Sequence, residues 1–289
     1  MTPLTLGRPG DHRRPAKLHL SDGRDATTPI ERKGTDEHRT RGDRRRQHAV
    51  IALHGWFGSA AAWRVLHPHL DTRRFRYVFP DYRGYGARIG EAGEHTLAEA
   101  AADVLALCVQ LGIETFSLLG HSMGGAVAQR VLADAPQRVR ALVGISPVPA
   151  SGVPFDEQGW ALFSGATDDL GNRRAIIDLT TGNRLSAVWL EAVVEHSRQH
   201  SDPAAVADYL HAWARTDFHA EIEGNPVPVK VIAGEHDPAL GEETMKATFQ
   251  VWYPHCEVEV LPNAGHYAID ETPIALATTV ERFLTTSAR

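Results

Sequence analysis

The chain of 289 residues is predicted to be an α/β protein: a mostly parallel sheet flanked by helices, with an inserted helical cap. Three observations predict this. From His48 onward, short apolar runs alternate with segments whose apolar residues recur at helical spacing. The β-like runs disappear between about 150 and 224, and the alternation then resumes to the C-terminus. Strands alternating with helices of this length require crossover connections, and so a parallel sheet.

Each element has its own signal. Ala49 to Leu53 is a continuous apolar run followed by Gly55, and Ala60 to Leu70 reads as helical. Phe75 to Phe79 forms the next strand, ending at Pro80-Asp81 and the loop Tyr82-Arg83-Gly84-Tyr85-Gly86. Thr96 with Glu99 makes a capping-box pattern ahead of a helix whose one face carries Leu97, Ala101, Val104, Cys108 and Leu111. Thr115 to Leu119 alternates like a short buried strand, Ala126 to Ala133 continues as a helix, and Val139 to Ile145 is a further strand. Helices fill 150–224. Beyond them come a strand at Val227 to Ala233, a helix near Glu242 to Val251, a strand at Glu257 to Leu261 and a C-terminal helix from about Thr272 to Leu284. The chain thus divides into a polar segment 1–47, a core of 48–149 and 225–289, and a helical cap at 150–224. Counted as following the fifth to sixth strand, the cap would lie over the carboxyl ends of the sheet, where open α/β folds bind ligands.

Residues 1–47 are rich in Arg, Asp, Thr and His and poor in large apolar side chains, so a solvated, partly disordered tail is expected. Within it, residues 17–23 could form an edge strand ending in Asp22-Gly23. The Arg44-Arg45-Arg46 run stands among acidic residues without aromatics, and the formal charge is -6, so no nucleic-acid partner is expected. No apolar run approaches the roughly 20 residues that span a bilayer. A soluble, cytoplasmic protein follows as the expectation. Cys108 and Cys256 are read as unpaired core residues.

The chemistry is concentrated at Gly120-His121-Ser122-Met123-Gly124. A serine between glycines, where a strand gives way to a helix, is the pattern of a nucleophile elbow. The pattern alone arises by chance in roughly one chain of this length in ten, so its context decides. A serine hydroxyl needs a histidine to take its proton, and the histidine needs a carboxylate to hold its tautomer. Asp237 and His266 each stand just beyond a predicted strand, in the order Ser, Asp, His. Asp81, attributed instead to a loop-holding salt bridge with Arg83, and Glu235 are the competing acids. Two backbone N–H groups should receive the oxyanion: Met123, at the start of the helix, and Trp56, in the loop His54-Gly55-Trp56-Phe57-Gly58. His54 could shape that loop, His121 is read as structural and turned away from Ser122, and His236 as solvated.

These motifs together (His54-Gly55-Trp56, Asp81-x-Arg83-Gly84-x-Gly86, the Ser122 elbow, Gly234-x-x-Asp237-Pro238 and Gly265-His266) resemble the α/β-hydrolase superfamily, in its lidded, esterase-like branch. The resemblance covers roughly 48–289. It implies serine chemistry through an acyl-enzyme with no metal or organic cofactor. Dehalogenases and epoxide hydrolases that resemble this family place aspartate at the elbow, which Ser122 argues against. The expected activity is hydrolysis of a carboxylic ester or lactone of a small, partly apolar substrate. Carbon–carbon bond hydrolysis and acyl transfer remain alternatives with the same triad, and a non-catalytic small-ligand sensor is the alternative of another class. Phe57, Trp160, Phe163, Trp189 and Trp213 are the candidate pocket residues. Removing residues 1–16 is expected to leave activity and melting temperature nearly unchanged; a large loss in either would make the tail part of the fold.

Overall fold

The computed structural model describes residues 47–287. The tail through residue 46, including the candidate edge strand at 17–23, lies outside the described residues. Six strands form one sheet: β1 (His48–Leu53), β2 (Phe75–Val78), β3 (Phe116–His121), β4 (Val139–Ile145), β5 (Val229–Gly234) and β6 (Cys256–Leu261). Their order is β2-β1-β3-β4-β5-β6, and every neighbouring pair runs parallel. All carboxyl ends therefore open on one edge.

The central strands are almost wholly buried because both faces of the sheet are covered. Ile51, Leu53 and Leu118 pack on one face with α1 (Leu97–Gln110) and α2 (Met123–Asp134). Val50, Ala52, Leu119 and Val143 pack on the other with Trp63, Leu276 and Phe283. Each fully buried Leu or Ile contributes about 1.5–3 kcal/mol, so the period-two alternation fixes which face each residue serves. In α1, Thr96 accepts the N–H of Glu99 at 3.1 Å, while the Glu99 carboxylate accepts from His95 rather than Thr96, at 3.0 Å. The cap is reciprocal but shifted by one residue.

Between β4 and β5 lie four helices: α3 (Glu157–Gly165), α4 (Leu170–Thr180), α5 (Ala187–His200) and α6 (Pro203–Arg215). Each begins on a side-chain cap, from Asp156, Asp169, Ser186 and Asp202 in turn. They follow the fourth described strand; the expected count of five or six presumed strands ahead of His48. After β5 come α7 (Glu242–Ala247), α8 (Phe249–Trp252), α9 (Ala268–Glu271) and α10 (Pro273–Ser287).

Two expected helices are broken. Residues 60–70 form two 3-10 turns, Ala60–Arg64 and His67–His69, because Pro68 lacks the N–H that a continuous α-helix would donate to the Arg64 carbonyl. The stretch at 242–251 splits at Thr248, whose hydroxyl bonds the Thr244 carbonyl at 2.6 Å. Cys108 is buried in α1, Cys256 is half-buried at the start of β6, and both are free thiols. No helix among the described residues is long and apolar enough to cross a membrane.

Three elements meet at Gly124, where a Cβ would fall on the Leu53 carbonyl. In an open helix, Gly→Ala gains up to about 1 kcal/mol. Here Gly124→Ala should instead cost about 3 kcal/mol in urea unfolding. A stabilised variant would show that β1 and α2 are not in tight contact.

Candidate active site

Ser122 joins β3 to α2 with φ 53° and ψ -121°, a conformation that non-glycine residues avoid. The turn is held by its backbone. The Ser122 N–H donates to Ile145 at 3.0 Å, and its carbonyl accepts from Gly125 at 2.8 Å and Val148 at 2.9 Å. A Cβ on Gly120 would fall on the Gly124 carbonyl, so the strand and helix approach as closely as glycine permits. Met123 opens α2, where the first N–H groups have no intrahelical partner and the helix dipole favours negative charge. A Cβ on Gly55 would stand 3.2 Å from Ser122 Cβ. The loop carrying Trp56 therefore comes up against the serine.

Asp237 lies three residues past β5 and His266 five past β6. His266 Nδ1 donates to Asp237 Oδ2 at 2.7 Å, and both residues are buried. Burial alone would raise the Asp237 pKa, but the His266 charge and hydrogen bond, with the N–H groups of Leu240 and Ala239 (each 3.0 Å away), lower it. The competing acids are engaged elsewhere. Asp81 accepts the N–H groups of Ala60 and Ala87, at 2.6 and 2.9 Å, and Glu235 accepts that of Asn263 at 2.9 Å. The expected Asp81–Arg83 salt bridge is replaced by Arg83–Asp103 at 2.8 Å. Asp81 does hold its loop, but through backbone N–H groups.

The histidine loop is itself clamped. Glu271 accepts the N–H of Gly265 at 2.9 Å and of Tyr267 at 3.1 Å, on either side of His266. The His266 N–H donates to Thr180 at the end of α4, at 3.0 Å, and His121 Nε2 donates to the His266 carbonyl at 2.8 Å. His54 Nδ1 donates to the Gly55 carbonyl at 2.9 Å. His236 is partly exposed beside Glu235, at 3.6 Å.

Ser122 and His266 line one cavity of about 310 Å³. Among the described residues no hydrogen bond joins them, an arrangement common before substrate tightens a site. Trp56, Phe57, Phe163, Trp189 and Trp213 also line it. Trp56 stacks on Phe57 with ring centres 4.2 Å apart, and its indole donates to the Val206 carbonyl on α6 at 2.8 Å. Trp160 does not join them. Its ring packs against His211 and under the Arg215 guanidinium at 3.7 Å. Phe155, His196, Tyr267 and Asp270 line the cavity without having been singled out in the sequence. For His196 a signal existed: Trp189, Ala192, Val193 and His196 fall on one face of α5, and all four line the cavity.

Burial, reinforced by the His266 charge, pushes the His121 pKa down to about 3, and burial lowers that of His54. His121 therefore stays neutral in the fold while an unfolded chain takes up its proton below about pH 6.5. Stability should fall by about 1.4 kcal/mol per pH unit on account of His121 as pH drops from there toward 3, and the lowered His54 pKa acts in the same direction. Asp237 is depressed in the usual carboxylate sense, so its contribution is lost only under more acidic conditions. Urea unfolding at pH 7.0 and 5.0 should show a smaller difference for His121→Gln than for the parent; an equal difference would remove His121 from the account.

A family profile described as alpha/beta hydrolase fold matches residues 48–183. The chain is 30% identical over 247 residues to the pimeloyl-[acyl-carrier protein] methyl ester esterase of Yersinia enterocolitica, covering 81% of this chain and 92% of that one. It is 32% identical over 206 residues to a non-heme chloroperoxidase of Streptomyces lividans, covering 66% and 75%. The crystal structure of carboxylesterase CesB from Bacillus subtilis superposes with a TM-score of 0.69 at 25% identity, covering 83% of this chain and 85% of that one. With its parallel sheet, strained serine turn and coverage of these relatives, the chain belongs to the α/β-hydrolase superfamily.

Proposed function

We propose that this protein is a serine hydrolase acting on a carboxylic ester or lactone of a small, partly apolar substrate. The observation that carries the reading is the 2.7 Å Asp237–His266 hydrogen bond, with His266 and Ser122 facing one cavity. His266 Nε2 takes the proton of Ser122 Oγ as it attacks the acyl carbon, then gives it to the departing alkoxide. Water, deprotonated by the same nitrogen, attacks the acyl-enzyme, and the intermediate collapses with cleavage of the Ser122 Oγ–acyl bond, His266 returning the proton to Oγ as the acid is released. Asp237 holds the tautomer that leaves Nε2 free. The N–H groups of Met123 and Trp56 receive the oxyanion, each worth about 3 kcal/mol in the transition state. Residues 150–224 act as the cap, whose helices α4, α5 and α6 contribute Ile176, Trp189 and Trp213 to the cavity wall.

The esterase-named relatives support ester hydrolysis. A fluorophosphonate probe should label Ser122 in folded protein. Ser122→Ala and His266→Ala should each reduce p-nitrophenyl ester turnover roughly a thousandfold or more while retaining the parent's unfolding transition. Absence of an adduct, or comparable turnover in either variant, would overturn the assignment.

A further inference from the structure

The lining of the cavity beside Ser122 carries charge of one sign. Among the described residues that line it there is no Lys or Arg, and its one carboxylate outside the Asp237–His266 pair is Asp270. Asp270 stands on the short helix α9, four residues past His266, and is half-buried. Among the described residues its carboxylate has neither a hydrogen-bond donor nor a cationic partner. Arg184 bonds the adjacent carboxylate, Glu271, at 3.0 Å.

Arg173 of α4 is buried behind the cavity wall, its guanidinium 5.1 Å from the centre of the Phe57 ring and bonded to Ser197 Oγ and the Ala166 carbonyl, so it neither lines the cavity nor bonds Asp270. The titratable groups of the lining do not offset the Asp270 charge. Glu271 directs its oxygens to Gly265, Tyr267 and Arg184. Tyr267 keeps its proton, since burial and Asp270 itself raise its pKa. On α5, His196 is neutral, its pKa pushed down to about 4 by burial and then by His200. His266 and Asp237 are satisfied by each other. Burial, with the Glu271 charge, pushes the Asp270 carboxyl up to about 6, so it is ionised at pH 8. A second negative charge placed in the same low-dielectric cavity would meet this one with no cation in the lining, Arg173 standing behind the Phe57 ring.

We infer that Asp270 determines the charge of the molecule the cavity accepts, excluding carboxylate-bearing acyl compounds and admitting neutral esters or lactones with an apolar acyl group. Calling that molecule a substrate rests on the serine-hydrolase reading. The same charge weakens retention of the carboxylate product once the acyl-enzyme is hydrolysed.

Binding separates this inference from catalysis. Trp56, Trp189 and Trp213 line the cavity and report occupancy by fluorescence. At pH 8, Ser122→Ala protein should bind neutral 2-phenylethanesulfonamide at least tenfold more tightly than 2-phenylethanesulfonate, which is ionised throughout. Adding Asp270→Asn should narrow that ratio at least threefold, and adding Asp270→Glu should preserve it. The bare cost of desolvating an anion is common to all variants, so the change in ratio isolates Asp270. Asp270→Ser provides the same test if the Asn variant does not fold. A ratio near one in Ser122→Ala, a ratio that moves less than threefold on removing Asp270, or failure of the sulfonamide to bind would overturn the inference. Fluorophosphonate labelling of the parent distinguishes the two failures: labelling without charge discrimination sinks only the role of Asp270, and discrimination without labelling sinks only the nucleophile.

Discussion

The backbone conformation of Ser122 is the constraint on which the rest of the site depends. A serine at φ 53° and ψ -121° carries strain of about 1–3 kcal/mol and persists only where its surroundings over-determine it. Three backbone hydrogen bonds and the close approaches at Gly120 and Gly124 do so here. Those approaches depend on strand register: Leu53 of β1 pairs with Gly120 of β3. A slip of one residue would put Leu119 at that position and reverse the faces of the whole strand. The placement of the Ser122 hydroxyl is thus set by the register of apolar strand residues.

The histidine side is held by different means. Gly234 and Gly265 pass so closely that a Cβ on the former would fall on the latter's carbonyl, which brings the loops after β5 and β6 together. Glu271 then fixes the N–H groups flanking His266, and Thr180 accepts that of His266 itself. His121 ties this loop to β3 through the residue immediately before Ser122. A movement of α4 would therefore be felt at the His266 backbone, because Thr180 ends that helix.

Much of this was legible in the sequence because strand ends in a parallel sheet share one edge. Once the apolar runs are found, residues just past them must converge, which is why Ser122, Asp237, His266 and Gly55 could be named together. Partner choice was less legible. Arg83 stands two residues from Asp81 yet pairs with Asp103 on α1, since the loop turns its guanidinium toward that helix. Trp160 and Phe163 are one helical turn apart, and only the latter faces the cavity. Helical spacing says that they share a side of α3, but not how far each reaches. Likewise, residues 60–70 show apolar spacing that suits a helix, and the local chemistry of Pro68 prevails.

Asp270 and Glu271 are adjacent carboxylates that no spacing rule distinguishes, and the structure gives them different environments. Glu271 spends its charge on backbone N–H groups and Arg184, whereas Asp270 faces the cavity without such partners. Asp237 is a third case, compensated by His266 and two N–H groups strongly enough to remain ionised despite burial. The Asp237 shift is set by those partners, and the Asp270 shift by burial and Glu271. The two negative charges are therefore governed by separate sets of contacts. One can orient the imidazole while the other acts on whatever enters the cavity, so the charge preference of the site can change without altering the Asp237–His266 pair.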